Sequence, residues 1–191
     1  DDGKSLSLNF PDEFVQSVKN AGYDLVTTAN NHLLDKGISG ALRTLDVLDS
    51  FGLDHIGSYR NASEKETVKI LSAGGIKIAV LAYTYGSNGY SEDDLLSGGL
   101  SYITSVLVPP KSVNFEKVKA SVIGDIGKEK KEEPDLIVIL PHMGEQFLDE
   151  PDDYQKAWND IFIGAGADIV LNDHTHSVQP VDIFGENGKN K

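Results

Sequence analysis

Apolar positions along this chain follow two alternating rhythms, short unbroken runs and recurrences every three or four residues, which mark strands and helices respectively. Pro11 opens a helical stretch in which Phe14, Val15 and Val18 share a face and Gly22 closes it, so a helix is expected from about Pro11 to Ala21. Tyr23 to Thr28 then reads as a buried strand. From Ile38 the positions Leu42, Leu45, Val47, Leu48 and Phe51 mark a second helix ending at Gly52, with a short strand near His55 and Ile56. Strand, helix, strand in succession is the signature of a parallel sheet.

The middle of the chain changes character. Thr67–Ser72 and Ile76–Tyr85 are strand-like and separated by Ala73-Gly74-Gly75, which suits a hairpin, so the sheet is expected to turn antiparallel there. Tyr85 to Leu100 mixes glycine, serine and acidic residues with little periodicity and reads as a long surface loop, a type of segment that often carries function. Helical spacing returns from Ser112 to Ile126. The mixed-sign run Lys128-Glu129-Lys130-Lys131-Glu132-Glu133 reads as a solvated helix end or loop. A strand over Asp135–Leu140, a helix from about Asp152 to Gly164 and a strand over Asp168–Asn172 repeat the alternation. A last strand is expected over Val178–Phe184, before the turn Gly185-Glu186-Asn187-Gly188. The whole predicts an α/β fold with mixed sheets.

Composition narrows the classes. A chain of 191 residues with 39% hydrophobic content fits one globular domain, taken as 1–191. No apolar stretch approaches the roughly 20 residues needed to cross a bilayer. The formal charge of −13, with no clustering of Lys and Arg, argues against a nucleic-acid partner. Any polyanion would need a bridging cation. The absence of cysteine removes disulfides and thiolate ligands without choosing a compartment. An opening of Asp1-Asp2-Gly3-Lys4-Ser5 reads as an excised piece of something longer, truncated at both ends.

Candidate chemistry concentrates behind three strands. Leu25-Val26-Thr27-Thr28 precedes Ala29-Asn30-Asn31-His32, Leu136–Leu140 precedes Pro141-His142-Met143-Gly144, and Ile169–Asn172 precedes Asp173-His174-Thr175-His176, so four of the five histidines fall there. In open α/β sheets ligands bind outside the carboxyl ends of the strands. Neighbouring strands would therefore bring Asn31, His32, His142, His174 and His176 into one pocket. Imidazole nitrogens with an amide oxygen form a donor set suited to Zn, Mn, Fe or Ni. The bland readings are a pair of surface histidines at His174 and His176, a turn at Asn31, and a strand-end histidine at His142. Asp35, Glu145, Asp149 and Asp173 are the carboxylates near enough in sequence to orient imidazoles, Asp35 foremost, on His32. His55 has no second donor beside it and reads as structural.

The segments Asn30-Asn31-His32-Leu33-Leu34-Asp35-Lys36-Gly37, Pro141-His142-Met143-Gly144 and His174-Thr175-His176-Ser177-Val178-Gln179-Pro180 resemble the motifs of the bacterial capsule synthesis family CapA, also called the poly-γ-glutamate biosynthesis family. The fold of that family is similar to the calcineurin-like metallophosphoesterases. The likeness continues through Ala21-Gly22-Tyr23-Asp24 and Gly164-Ala165-Gly166-Ala167-Asp168, and so runs through most of the chain in order. It implies a layered α/β sandwich with mixed sheets and a dinuclear centre of divalent Mn, Zn or Fe. Asn31 and His176 would serve one metal, His142 and His174 the other, and His32 would meet the leaving group. It also implies a position on the outer side of the cytoplasmic membrane behind an amino-terminal anchor, with capsule polymer or its synthase as partner.

Departures from the family pattern accompany the matches. Aspartate or glutamate ligands from strands early in such domains are expected before the point where this chain begins, so the sheet would lack its first strands here. Met143 stands where Trp is usual and Gln146 where Glu is usual, which removes a charge and a proton carrier. Asp173 and Thr175 stand where Gly and Pro are common. A metal-dependent phosphoesterase-like hydrolase is the leading expectation. A non-catalytic accessory subunit that binds polyanionic polymer or supports a membrane synthase is the alternative.

Overall fold

The computed structural model describes residues 7–184. In chain order they form α1 (Glu13–Asn20), β1 (Leu25–Thr27), α2 (Gly37–Ser50), β2 (Asp54–Ile56), α3 (Ala62–Lys65), β3 (Ile70–Ala73), β4 (Ile76–Thr84), α4 (Glu92–Leu96), a 3-10 turn (Gly98–Leu100), α5 (Phe115–Lys131), β5 (Leu136–His142), α6 (Asp153–Ala165) and β6 (Ile169–Val170). The α/β class with mixed sheets is thus what the chain adopts. Two compact units arise, one from the stretch ending at Thr67 with Ala82–Val106, the other from Val68–Leu81 with the stretch from Leu107 onward.

In the first unit β1 and β2 pair in parallel, with Val26 opposite His55. Parallel neighbours need a long crossover, and α2 supplies it. Ala41, Leu45 and Leu48 are its buried positions, at the spacing of one helix face. Tyr85–Leu100, expected as loop, contains α4 and the 3-10 turn. The cause is a reciprocal cap: Ser91 Oγ accepts from the Asp94 N–H at 3.2 Å and Asp94 Oδ2 accepts from the Ser91 N–H at 2.8 Å. Leu95 is then buried. His55 Nε2 lies 3.1 Å from Asp49 Oδ1, a pairing that suits the structural role expected of it.

The second unit contains a sheet of order β3-β4-β5-β6, antiparallel between β3 and β4 and parallel between β5 and β6. Gly74 and Gly75 have φ of 59° and 86°, the pair of positive values that a tight hairpin of this twist demands. Along β5 buried and half-buried residues alternate. On α5, Val118, Val122 and Ile126 are buried in the same unit as Trp158 and Phe162 of α6. Asp152 and Gln155 form a second reciprocal cap at the start of α6.

Three expectations are corrected. β6 is only two residues long, although the ladder resumes beyond it through the isolated His142 to Asp173 bridge. Val178–Phe184 forms no strand: Val178, Val181 and Ile183 are 97%, 91% and 73% exposed. Apolar β-branched content makes a strand only where a partner offers a ladder and a face to cover. The turn at 185–188 lies outside the described residues. The charged run 128–133 belongs largely to the last turn of α5, as expected, but Glu129 is buried, because it continues the face of Val122 and Ile126.

That burial has a measurable consequence. Glu129 Oε2 finds no hydrogen-bond partner among the described residues, and burial, with Asp125 and Glu132 adding to it, pushes the carboxyl up to about 7. In the folded chain the proton is held to about that pH, whereas an unfolded carboxyl releases it near 4.5. Stability from this group is therefore full below pH 4.5 and lost as pH rises to about 7. Glu129→Gln is expected to flatten that window and to stabilise the protein at pH 8 by roughly 1–3 kcal/mol, read from urea midpoints at pH 5 and pH 8. Equal pH dependence in both proteins would contradict it.

Candidate functional site

The first candidate loop begins where β1 ends. Thr28 is held on the β2 side by its N–H to Ile56 O at 2.8 Å and by a 2.6 Å contact between its Oγ1 and Ser58 Oγ. Gly57, at φ 108°, lies so close that a Cβ there would sit 2.6 Å from the Ala29 Cβ and N, which excludes a larger residue. Asn30 Oδ1 accepts from the His32 N–H at 2.8 Å, a side-chain turn that folds the loop back on itself. His32 Nδ1 then meets Asp35 Oδ2 at 2.7 Å; the carboxylate is 3% exposed, the imidazole 28%. The same Oδ2 accepts from the Leu8 N–H at 2.7 Å. Charge-assisted bonds to a buried carboxylate fix its rotamer, and with it the imidazole.

Asn31 is buried and is met by residues 87 and 88, which follow β4 in the sequence. The Asn88 N–H donates to Asn31 O at 2.7 Å, Asn31 Nδ2 donates to Asn88 Oδ1 at 3.3 Å, and Ser87 Oγ accepts from the Leu34 N–H at 3.1 Å. Sequence reading missed both residues. The signal was present, since Gly86-Ser87-Asn88-Gly89 stands at the carboxyl end of a strand as the histidine loops do.

In the second unit the loops after β5 and β6 are laced together. Asp173 N–H donates to Pro141 O at 3.1 Å, Met143 N–H to Asp173 O at 3.2 Å, and Phe147 N–H to Thr175 O at 2.7 Å. His142 Nδ1 meets Asp173 Oδ1 at 2.8 Å. The rings of His142 and His174 are 4.7 Å apart and those of His174 and His176 6.2 Å, while Phe147 stacks on His176 at 5.7 Å. Gly144, at φ 110°, packs where a Cβ would run into the Gln155 side chain. Gln155 is itself buried and bonded to Gln179 at 2.9 Å. Four non-glycine residues among those described have positive φ, and three of them, Phe147, His174 and His176, at 65°, 92° and 54°, stand in this pair of loops. Such conformations cost about 1–3 kcal/mol each and gather at functional sites.

Each unit thus gathers its own group: Asn31, His32 and Asp35 in the first, His142, Asp173, His174 and His176 in the second. Of the four carboxylates expected to orient imidazoles, Asp35 and Asp173 do touch one, whereas Glu145 and Asp149 are exposed. Donor chemistry fits a divalent cation. A carboxylate on Nδ1 leaves Nε2 as the ligating nitrogen, the usual arrangement behind a metal-bound imidazole. The shell is only partial, because among the described residues no three His, Asp or Glu side chains are grouped to hold an ion.

The chain is thus an α/β protein that carries its candidate donors on strand-end loops. The family described as bacterial capsule synthesis protein PGA_cap matches residues 1–190, and the chain belongs to it. It is similar to the capsule biosynthesis protein CapA of Bacillus anthracis, 28% identical over 181 residues that cover 95% of this chain and 41% of that protein. It is also similar to the PGA biosynthesis protein CapA of Bacillus subtilis (strain 168), 25% identical over 183 residues, 95% of this chain and 44% of that one. The chain spans less than half the length of either relative.

Proposed function

We propose that this protein works in the assembly of a capsule or poly-γ-glutamate polymer, as a metal-dependent hydrolase of the phosphoesterase kind. The observation that carries this reading is the laced pair of loops after β5 and β6, where strained backbone holds His174 and His176 beside the His142–Asp173 pair. Within the second unit His142, His174 and His176 would hold divalent Mn, Zn or Fe, and within the first Asn31 is the candidate donor. When bound, the metal supplies Lewis-acid stabilisation of a developing oxyanion and a water of lowered pKa. Asp173 orients His142 through Nδ1. Asp35 orients His32 in the same way through Nδ1, which turns His32 Nε2 toward the role of delivering a proton to a departing oxygen. Association with a membrane synthase on the outer side of the cytoplasmic membrane belongs to the same proposal. No helix among the described residues is long and apolar enough to cross a membrane.

The partial shell favours a second reading, an accessory subunit that binds polymer or braces a synthase without turnover. One experiment separates the two. The intact protein is screened for hydrolysis of a generic phosphodiester and of γ-glutamyl substrates with added Mn²⁺ or Zn²⁺, beside a polymer-binding assay. Metal-dependent turnover abolished by chelator is the expected result. Polymer binding without turnover, indifferent to chelator, would overturn the hydrolase and leave the accessory subunit.

A further inference from the structure

We propose that Gln179 is a positioning residue whose side-chain amide clasps the loop after β6 to the loop after β5 and so holds the His176 imidazole against Phe147, an inference that rests on the hydrolase reading only for what His176 then does. The segment around it is built inside out: Val178 is 97% exposed and Val181 91%, whereas the polar Gln179 between them is half-buried. An amide withdrawn from water is costly unless its hydrogen bonds are met, and here they are. Gln179 Nε2 donates to Leu148 O at 3.1 Å and to Glu150 O at 3.2 Å, and Gln179 Oε1 accepts from Gln155 Nε2 at 2.9 Å. Two backbone carbonyls can only accept, so they fix which end of the Gln179 amide is nitrogen. Gln155 is 1% exposed and belongs to the cap of α6, where its Oε1 accepts from the Asp152 N–H at 3.1 Å and Asp152 Oδ2 accepts from the Glu145 N–H at 2.7 Å. The clasp therefore ties both loops to the first turn of a long helix.

The contact it guards lies between two crosslinks. On one side the Phe147 N–H donates to Thr175 O at 2.7 Å, and on the other Gln179 reaches Leu148 and Glu150. Between them the Phe147 and His176 rings stack, 5.7 Å apart and 29° from parallel. Both residues are exposed, and both stand at positive φ, 65° and 54°. Core packing does not hold this pair, and one exposed stack is weak beside the strain of two such backbones. The Gln179 donor supplies the missing tie.

The test uses the intact chain with Gln179→Glu, Gln179→Ala and Phe147→Leu. Glutamate keeps the length of the side chain and the acceptor for Gln155 and loses only the donor, turning an oxygen toward two carbonyls. The His176 ring protons, assigned by NMR without added metal, are shifted by the ring current of Phe147, and Phe147→Leu gives their position without it. Both Gln179 variants are expected to move the His176 signals toward that position. Emission of Trp158, the one tryptophan of the chain and fully buried, is expected to stay at the parent value and reports that the core is intact. With a generic phosphodiester and added Mn²⁺, each single variant is expected to lower kcat by up to about 100-fold with KM little changed. Gln179→Glu combined with Phe147→Leu should lose no more than either alone, because both act through one contact. His176 signals indifferent to both Gln179 variants would overturn the proposal. So would signals that move in Gln179→Ala and stay in Gln179→Glu, which would reduce the residue to packing, or kcat losses that add in the combined variant. A parent protein without turnover would sink the hydrolase reading instead, and the NMR comparison would still decide the role of Gln179.

Discussion

Replacing His174 and His176 together by alanine is expected to abolish metal binding and, with it, phosphodiester hydrolysis in the intact protein, while leaving the fold in place. Both side chains stand on positive-φ backbone in the loop after β6, and neither belongs to the buried core. Alanine is no better suited than histidine to φ of 92° and 54°, so the strain stays while the change removes two imidazoles and their contacts. His142 would remain with Asp173, a single imidazole and a single carboxylate, too few donors for a tetrahedral or octahedral cation. The fall in affinity should exceed the roughly 10–100-fold that follows loss of an orienting partner, because donors themselves are removed. Metal content after dialysis and turnover with added Mn²⁺ are the measurements. Stoichiometric metal retained by the double variant would refute the assignment, whatever the activity.

The largest effect on stability is expected at Trp158. Its ring is fully buried, its Nε1 donates to Val108 O at 2.9 Å, and it packs against Phe115 at 5.4 Å and Phe162 at 5.8 Å between ring centres. Alanine would leave a cavity the size of an indole where helices α5 and α6 meet and would strand a buried carbonyl without its donor. Changes of this kind cost about 3–5 kcal/mol, a large part of the 5–15 kcal/mol that holds a typical domain together. Guanidinium unfolding of Trp158→Ala against the parent reads the difference. A loss under about 1 kcal/mol would mean that the cavity collapses at little cost and that α6 is held chiefly elsewhere. Because the Asp152 and Gln155 cap of α6 also receives the loop of Gly144 and Glu145, loosening α6 should disturb the His142 loop as well.

Elements whose cause is local were legible along the chain. The α2 stripe of Ala41, Leu45 and Leu48, the Gly74-Gly75 hairpin and the alternation of β5 all announce themselves within a few residues, because helix period and turn conformation are properties of short segments. What went unread depended on distant partners or on short signals. α4 is five residues long and rests on the Ser91 and Asp94 cap, easily lost among serine and acid. Val178–Phe184 carries the composition of a strand and forms none. Glu129 looked solvated in a charged run, yet its angular position on α5 turns it inward.

The candidate site divides along the same line. Asn31, His32, His142, His174 and His176 stand out as candidates along the chain because each follows directly on a β-branched run, and the structure places them at or just beyond strand ends. Choosing among the nearby acids could not be done that way. Asp35 reaches His32 within one turn of chain, but Asp173 reaches His142 across 31 residues, through the parallel pairing of β5 with β6. Asn88 reaches Asn31 across 57 residues through the turn after β4. The order of residues names the candidate donors. Which carboxylate or amide stands behind each of them is settled by strand pairing and loop lacing, because a hydrogen bond depends on distance in space and is indifferent to distance along the chain.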